Sequence, residues 1–238
     1  MTNIVILDNR VHRDLTVSPA PSAGFGDARN FVPVVVDEFP DLVLHYPILF
    51  SKDAQTGALY CGAMLGIDAG ENLFLDRPAD VYRPLNLRRD PFYMAGEMLA
   101  IDLDSPRVNA AGGKALFTAS GTATPYLESI TAIMRELHPG LERTRHFVET
   151  LIRLKLIEPI DMDIGFDDGS KRMLQGLYTV DRAALRALPD TQAVELFRRG
   201  YLQLCYLMTA SLKQVPALAR RKNGRLLEGN EMLSPGFA

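Results

Sequence analysis

The stretch "IDMDIGFDDGSKRMLQGLYTV", Ile160–Val180, decides the fold. Asp161 and Asp163 alternate with Met162 and Ile164, the period of a strand with one face buried. Asp168-Gly169 supplies what a tight hairpin turn favours, and the chain returns as a second strand toward Val180. Asp161, Asp163, Asp167 and Asp168 also invite a calcium-loop reading. Such a loop needs glycine at its sixth position and glutamate at its twelfth. Counted from Asp161 those positions hold Phe166 and Arg172, so the calcium reading fails.

Around this hairpin the second half of the chain reads as helical. Thr124 caps a helix, Pro125 takes its first position, and Tyr126, Ile130, Ile133, Met134 and Leu137 recur at helical spacing. Pro139 is expected to end that helix and open another, which stops near Glu158-Pro159. Asp190 caps the last long helix, running toward Pro216. Its most apolar window, Tyr201 to Leu212, is too short for a membrane span of about 20 residues and is expected to be the central buried helix.

The first half reads as strands joined by Gly- and Pro-containing loops. Strands are expected in "MTNIVILDNR", "NFVPVVV", "ENLFLD" and "MLAIDLD", with a hairpin from Ile48 to about Leu65 turning through Asp53 to Gly57. The predicted fold is therefore α+β: an antiparallel β-rich N-terminal part packed against a C-terminal helical part with one additional β-hairpin. The β-rich part covers 1–110 and the helical part 124–221, with the hairpin at 160–180, all within one compact domain. Residues 222–238 are expected to be a loosely ordered tail.

Composition bounds the function. The 238 residues are 47% hydrophobic and 23% charged, with a net charge of −3, which gives no electrostatic reason for binding nucleic acid or anionic lipid. The short basic clusters Arg88-Arg89 and Arg220-Arg221-Lys222 lack interleaved aromatics. The N-terminus has no basic region ahead of its apolar run, so a cytoplasmic location is expected. Cys61 and Cys205, far apart in apolar surroundings, read as buried free thiols.

Motifs for phosphate and nucleophile chemistry are missing. "GFGDAR" places Arg29 where a dinucleotide fingerprint needs its third glycine; "GGKA" has Ala115 where a P-loop needs Ser or Thr, and Val108 at its first glycine. No Gly-x-Ser-x-Gly elbow and no Cys-x-x-Cys pair occur. "IDLDSP" sets Asp102 and Asp104 on one strand face, as metal-binding Asp-x-Asp pairs do, but an edge strand followed by a turn is the preferred reading. No cofactor and no metal are expected.

Two His–carboxylate sets remain as catalytic candidates. In "HPGLERTRHFVET", Glu142, His146 and Glu149 share a helix face with Arg153, a set able to bind a metal or to act as an oriented general base. The plainer reading, a solvated face laced with i,i+4 pairs, is preferred. In "EFPDLVLHYPILF", Pro40 opens a short helix and puts Asp41 and His45 one turn apart, with Tyr46 adjacent. Punctuation between two strands is the preferred reading there too. A ligand cleft, if one exists, is expected beside this crossover, drawing on Asn30, His45, Tyr46, Arg88, Arg89 and Asp90.

The segments "NFVPVVVDEFPDLVLHYPILF", "GENLFLD", "LNLRRDPF", "IDLDSP", "GLYTVDRAALRALPD" and "LFRRGYLQLCYLMTASL" occur in an order that resembles the bacterial SapC family, from about Asn3 to Arg221. This is not the peptide-transporter permease of the same name, which needs membrane helices. The resemblance implies an association with surface layers, or with TonB-dependent receptors and flavin-dependent halogenase-like neighbours. It carries over no catalytic residues. Asn30 stands where the family frequently has histidine, and Asp90 where it frequently has an aromatic. The expected function is a non-catalytic accessory or binding protein of a surface nutrient-uptake or cell-envelope system, with a protein partner or small ligand and homo-oligomerisation left open. The alternatives are an enzyme modifying a glycan or peptide, and a surface-layer component reached through a dedicated exporter.

Overall fold

The computed structural model describes residues 3–76 and 80–233. In chain order the first half holds β1 (Ile4–Ile6), β2 (Thr16–Val17), β3 (Phe31–Pro33), α1 (Phe39–Leu42), β4 (Ile48–Lys52), β5 (Leu59–Met64), α2 (Leu85–Arg88), β6 (Phe92–Ala95), β7 (Met98–Asp102) and β8 (Lys114–Ala115). The second half holds α3 (Pro125–Arg153), β9 (Ile157–Gly165), β10 (Lys171–Val180), α4 (Arg182–Arg186), α5 (Asp190–Arg198), α6 (Tyr201–Ser211) and α7 (Val215–Leu233). All strand pairs are antiparallel, in sheets ordered β1-β7-β6, β3-β5-β4-β10-β9 and β2-β8. The class is α+β. No described helix is long and apolar enough to cross a membrane.

The hairpin of the helical half does not stand apart. Tyr178 of β10 pairs with Phe50 of β4, so β9 and β10 complete the large sheet begun in the N-terminal half. The halves are thus interleaved in one sheet.

Helix α3 ties the large sheet to the small one. Thr124 Oγ1 accepts from the Leu127 N–H at 3.4 Å, as the cap reading requires. The helix then runs unbroken through Pro139, against the expectation that it would end there. A proline inside a helix removes one hydrogen bond and costs about 3 kcal/mol. Here two buried stripes continue on either side and offset that cost. Leu127, Ile130, Ile133, Met134 and Leu137 pack into a core with Phe92 and Ile101 of the small sheet. Phe147, Val148 and Leu151 pack into a second core with Ile48, Leu49 and Phe50 of the large one. Between the stripes, Gly140 seats against the turn at Val35–Asp37, where a Cβ would lie 3.0 Å from Val35 Cγ2. Thr144 Oγ1 donates to the Gly140 carbonyl and accepts from the Val36 N–H at 3.0 Å, fixing the crossing.

Three further expectations change. Helix α6 is not a central buried rod: Cys205, Met208 and Ser211 are buried, whereas Tyr206 is 55% exposed, because one face packs on the sheet and the other meets solvent. The helix from Asp190 breaks at Gly200, whose left-handed backbone (φ 74) separates α5 from α6. "ENLFLD" forms a turn instead of a strand, since Asn72 Oδ1 accepts from the Phe74 N–H and its amide reaches the Asp27 carbonyl.

The expected tail is helical as far as Leu233, and residues 234–238 lie outside the described ones. Lys222 bridges Asp68 at 2.9 Å and Glu71, Arg225 bridges Asp76 at 2.7 Å, and Leu218 is buried. Opposite charges on the loop beneath recruit that helix, and of the second basic cluster they pair Lys222. Cys61 and Cys205 are buried free thiols; burial holds Cys61 far above its ordinary pKa and pushes Cys205 up to about 12.

Candidate functional site

The His–carboxylate pair of the "EFPDLVLHYPILF" stretch does not assemble. Asp41 lies exposed in α1, and no Asp41–His45 hydrogen bond occurs among the described residues. His45 is only partly buried; desolvation, then the positive Arg221, lower its pKa, partly opposed by Asp41. Tyr46 is a core residue. Its hydroxyl donates to the Tyr82 carbonyl at 2.8 Å, its ring lies 4.6 Å from that of Phe74, and burial raises its pKa.

The acid that matters in this stretch is Glu38, which the sequence reading passed over. Its side chain is buried, with Oε2 accepting from the Val35 N–H at 3.0 Å. Oε1 accepts from the Leu85 N–H at 2.7 Å and the Tyr82 hydroxyl at 3.3 Å. Burial raises its pKa, against the pull of these donors. Glu38 thus staples the turn before α1 to the start of α2. Its place three residues after Val35, where a glutamate folds back onto the helix-start backbone, was the available signal.

On α3, Glu142 sits 3.6 Å from His146 Nε2, but Arg145 claims it first, with Nε at 3.2 Å from Glu142 Oε2. That hydrogen bond holds the Glu142 carboxyl below its ordinary pKa. Glu149 also faces Arg145, at 3.5 Å. Glu142, Arg145, His146 and Glu149 are each more than half exposed. His146 lines the edge of a wide trough of about 600 Å³ beside Arg143, Arg199 and Tyr201. Arg143 is bound there to Asp37, and Arg199 to Glu195.

The six residues expected to share one cleft are dispersed. Asn30 contributes its carbonyl to the N–H groups of Leu65 and Gly66. Arg88 is exposed on α2. Tyr46 borders a cavity of about 20 Å³, room for a single water. Arg89 donates to Asn86 Oδ1 at 2.8 Å and to the Phe92 carbonyl at 2.7 Å, with its guanidinium 4.9 Å from the Tyr93 ring. Asp90 alone of the six faces an open polar cleft.

That cleft, about 360 Å³, is lined by Phe25, Arg29, Asp90, Tyr93, Asp102 and Asp104, with Ser105 and two prolines. Asp90 pairs with Arg29. Asp102, at the end of β7, is held by the backbone N–H groups of Asn3 at 2.9 Å and Asp104 at 3.1 Å. The Asp-x-Asp pair therefore does reach a cleft, with the Asp102 carboxylate hydrogen-bonded to backbone and Asp104 supplying one of those N–H groups. Among the described residues no cluster of three His, Cys, Asp or Glu side chains is arranged to hold a metal.

Beneath this cleft lies a buried ion network. Asp27, fully buried, binds Arg83 at 3.1 Å and Arg107 at 2.5 Å, and accepts from the Ser22 N–H at 2.8 Å. Arg107 donates to the Ser18 and Ala20 carbonyls, and Arg83 to those of Pro19 and Leu87. The Arg107 guanidinium lies 5.2 Å from the Phe25 ring. The Gly/Pro-rich loop from Ser18 to Arg29, almost without secondary structure of its own, is thus wired to two distant arginines, and this sets one wall of the cleft.

Antiparallel sheets bridged by one long helix, with an open carboxylate-lined cleft at one end of the small sheet, define an α+β protein. The chain belongs to the SapC family, whose model matches residues 7–218. No curated protein and no solved structure matches it.

Proposed function

We propose that this chain is a non-catalytic binding protein of a bacterial surface nutrient-uptake or cell-envelope system, and that the Phe25–Arg29–Asp90–Tyr93–Asp102–Asp104 cleft takes its ligand. One observation carries the reading: groups from separate stretches of chain converge on a cleft whose wall is anchored by the buried Asp27–Arg83–Arg107 network. Its volume falls within the range of small-molecule sites, about 300–1,000 Å³. Three carboxylates against one arginine favour a ligand rich in donors and neutral or positively charged, and two aromatic rings offer apolar faces. The placement in a surface system rests on the family's surface-layer and TonB-receptor associations.

Titration of the ¹⁵N-labelled protein with chitotriose and with tri-lysine tests the cleft. Expected are shifts centred on Arg29, Asp90, Tyr93 and Asp104 with one of these probes, and weakening by about tenfold or more in Tyr93→Ala. Silence with both probes at about 10 mM, or shifts centred elsewhere, would count against it.

A further inference from the structure

Every sheet edge presents unpaired backbone groups, and proteins shield such edges with prolines, charges or covering side chains. Most edges here follow that rule. β9 carries Pro159 with Glu158, Asp161 and Asp163. β3 ends at Pro33, whose carbonyl accepts from the Asn86 amide at 2.9 Å. β6 is closed at Phe92, whose N–H donates to the Arg89 carbonyl and whose own carbonyl accepts from Arg89 Nη1.

β1 is different. It is the outer strand of the small sheet and reads Ile-Val-Ile, with no charge anywhere from Asn3 to Leu7. Leu103 donates to the Asn3 carbonyl and Leu7 to the Leu99 carbonyl, so Asn3, Val5 and Leu7 turn their backbone groups toward β7. By antiparallel alternation, Ile4 and Ile6 turn theirs outward. No described residue is bonded there. Their side chains, each 47% exposed, stand on the outer sheet face beside Met98, itself 52% exposed.

We propose that two copies of this chain pair antiparallel through β1, about a two-fold axis at Val5, to make one continuous six-stranded sheet. The occupant is a second copy because the edge is complementary to itself. With Val5 opposite Val5, Ile4 of each copy meets Ile6 of the other, and both residues face outward in both copies. The contact closes at two, since a two-fold pairing uses the β1 edge of both copies. Three-residue strands bury far less than the roughly 800 Å² per partner of a stable interface, so the dimer forms with a dissociation constant in the micromolar range or weaker.

Sedimentation equilibrium of the full chain, from about 1 µM to about 1 mM, is the test. A monomer–dimer equilibrium is expected. Ile6→Pro removes only an outward N–H, so it should leave the thermal midpoint near that of the wild type while shifting the equilibrium toward monomer by tenfold or more. The pair I4K/I6K should likewise be monomeric, because lysine then faces lysine across the axis. The pair I4K/I6E should regain dimer, because each introduced lysine then faces the glutamate of the other copy. A monomer at every concentration, or a dimer indifferent to Ile6→Pro and to the charge pattern, overturns the proposal.

Discussion

Two charged clusters divide this molecule between what looks functional in sequence and what organises it in space. On α3, Glu142, Arg145, His146 and Glu149 are neighbours along one helix face and mostly in solvent. Under the cleft, Asp27, Arg83 and Arg107 come from three loops and are largely or wholly buried. Water screens the first set and already hydrates each member, so removing one changes little. The second set has no water to fall back on. Losing one partner there leaves the others desolvated and unpaired.

The largest effect should therefore come from Asp27→Ala. Breaking a buried ion pair by deleting one partner costs about 3–5 kcal/mol, and here two arginines lose the same carboxylate. Urea unfolding should show that loss, with the loop from Ser18 to Arg29 the first region to gain hydrogen exchange. A loss under about 1 kcal/mol would mean the network is not what holds the cleft wall, and the contrast between the clusters would collapse.

Next comes Glu38, a single buried carboxylate served by three donors with no cation among them. Glu38→Gln replaces one acceptor oxygen by a donor facing either the Val35 or the Leu85 N–H, at a cost of about 1–3 kcal/mol. It also removes a titration. Burial raises the folded pKa above the ordinary carboxylate value, so the stabilising contribution is fully present below that ordinary value. It is lost as pH rises through the raised one. The stability gap between wild type and Glu38→Gln should accordingly narrow as pH rises from about 4 toward neutrality. A gap that widens over that span would show that the donors outweigh desolvation.

The same contrast explains what sequence reading could see. The hairpin at Ile160–Val180 was legible because alternation and Asp168-Gly169 are local signals, and the start of α3 because Thr124-Pro125 is one. Continuation through Pro139 was not legible, since it depends on two cores that take separate halves of one helix. Apolar content in α6 carried no information on which face would be covered. Asp27 lies 56 residues from Arg83 and 80 from Arg107, inside a loop without periodicity, so nothing local marked it. Of the expected cleft, Asp90 alone lines the polar one, because side chains gather there by sheet register and loop wiring instead of by proximity in the chain.

The smallest effect belongs to the cluster that sequence makes most conspicuous. Glu142→Ala, His146→Ala and Glu149→Ala, singly or together, should leave the urea midpoint and the helical signal unchanged within measurement. Alanine is the best helix former, which offsets the loss of exposed pairs with Arg145. The buried face, with Phe147, Val148 and Leu151, is untouched by these changes. The triple variant should also bind whichever cleft probe the wild type binds, with the same affinity, because the α3 stripe borders a different trough. A cooperative loss of stability in the triple variant would show that this stripe holds α3 in place through contacts to Arg143, Arg199 or Tyr201. A selective loss of ligand binding would move the site from the Asp90 cleft to the trough at His146.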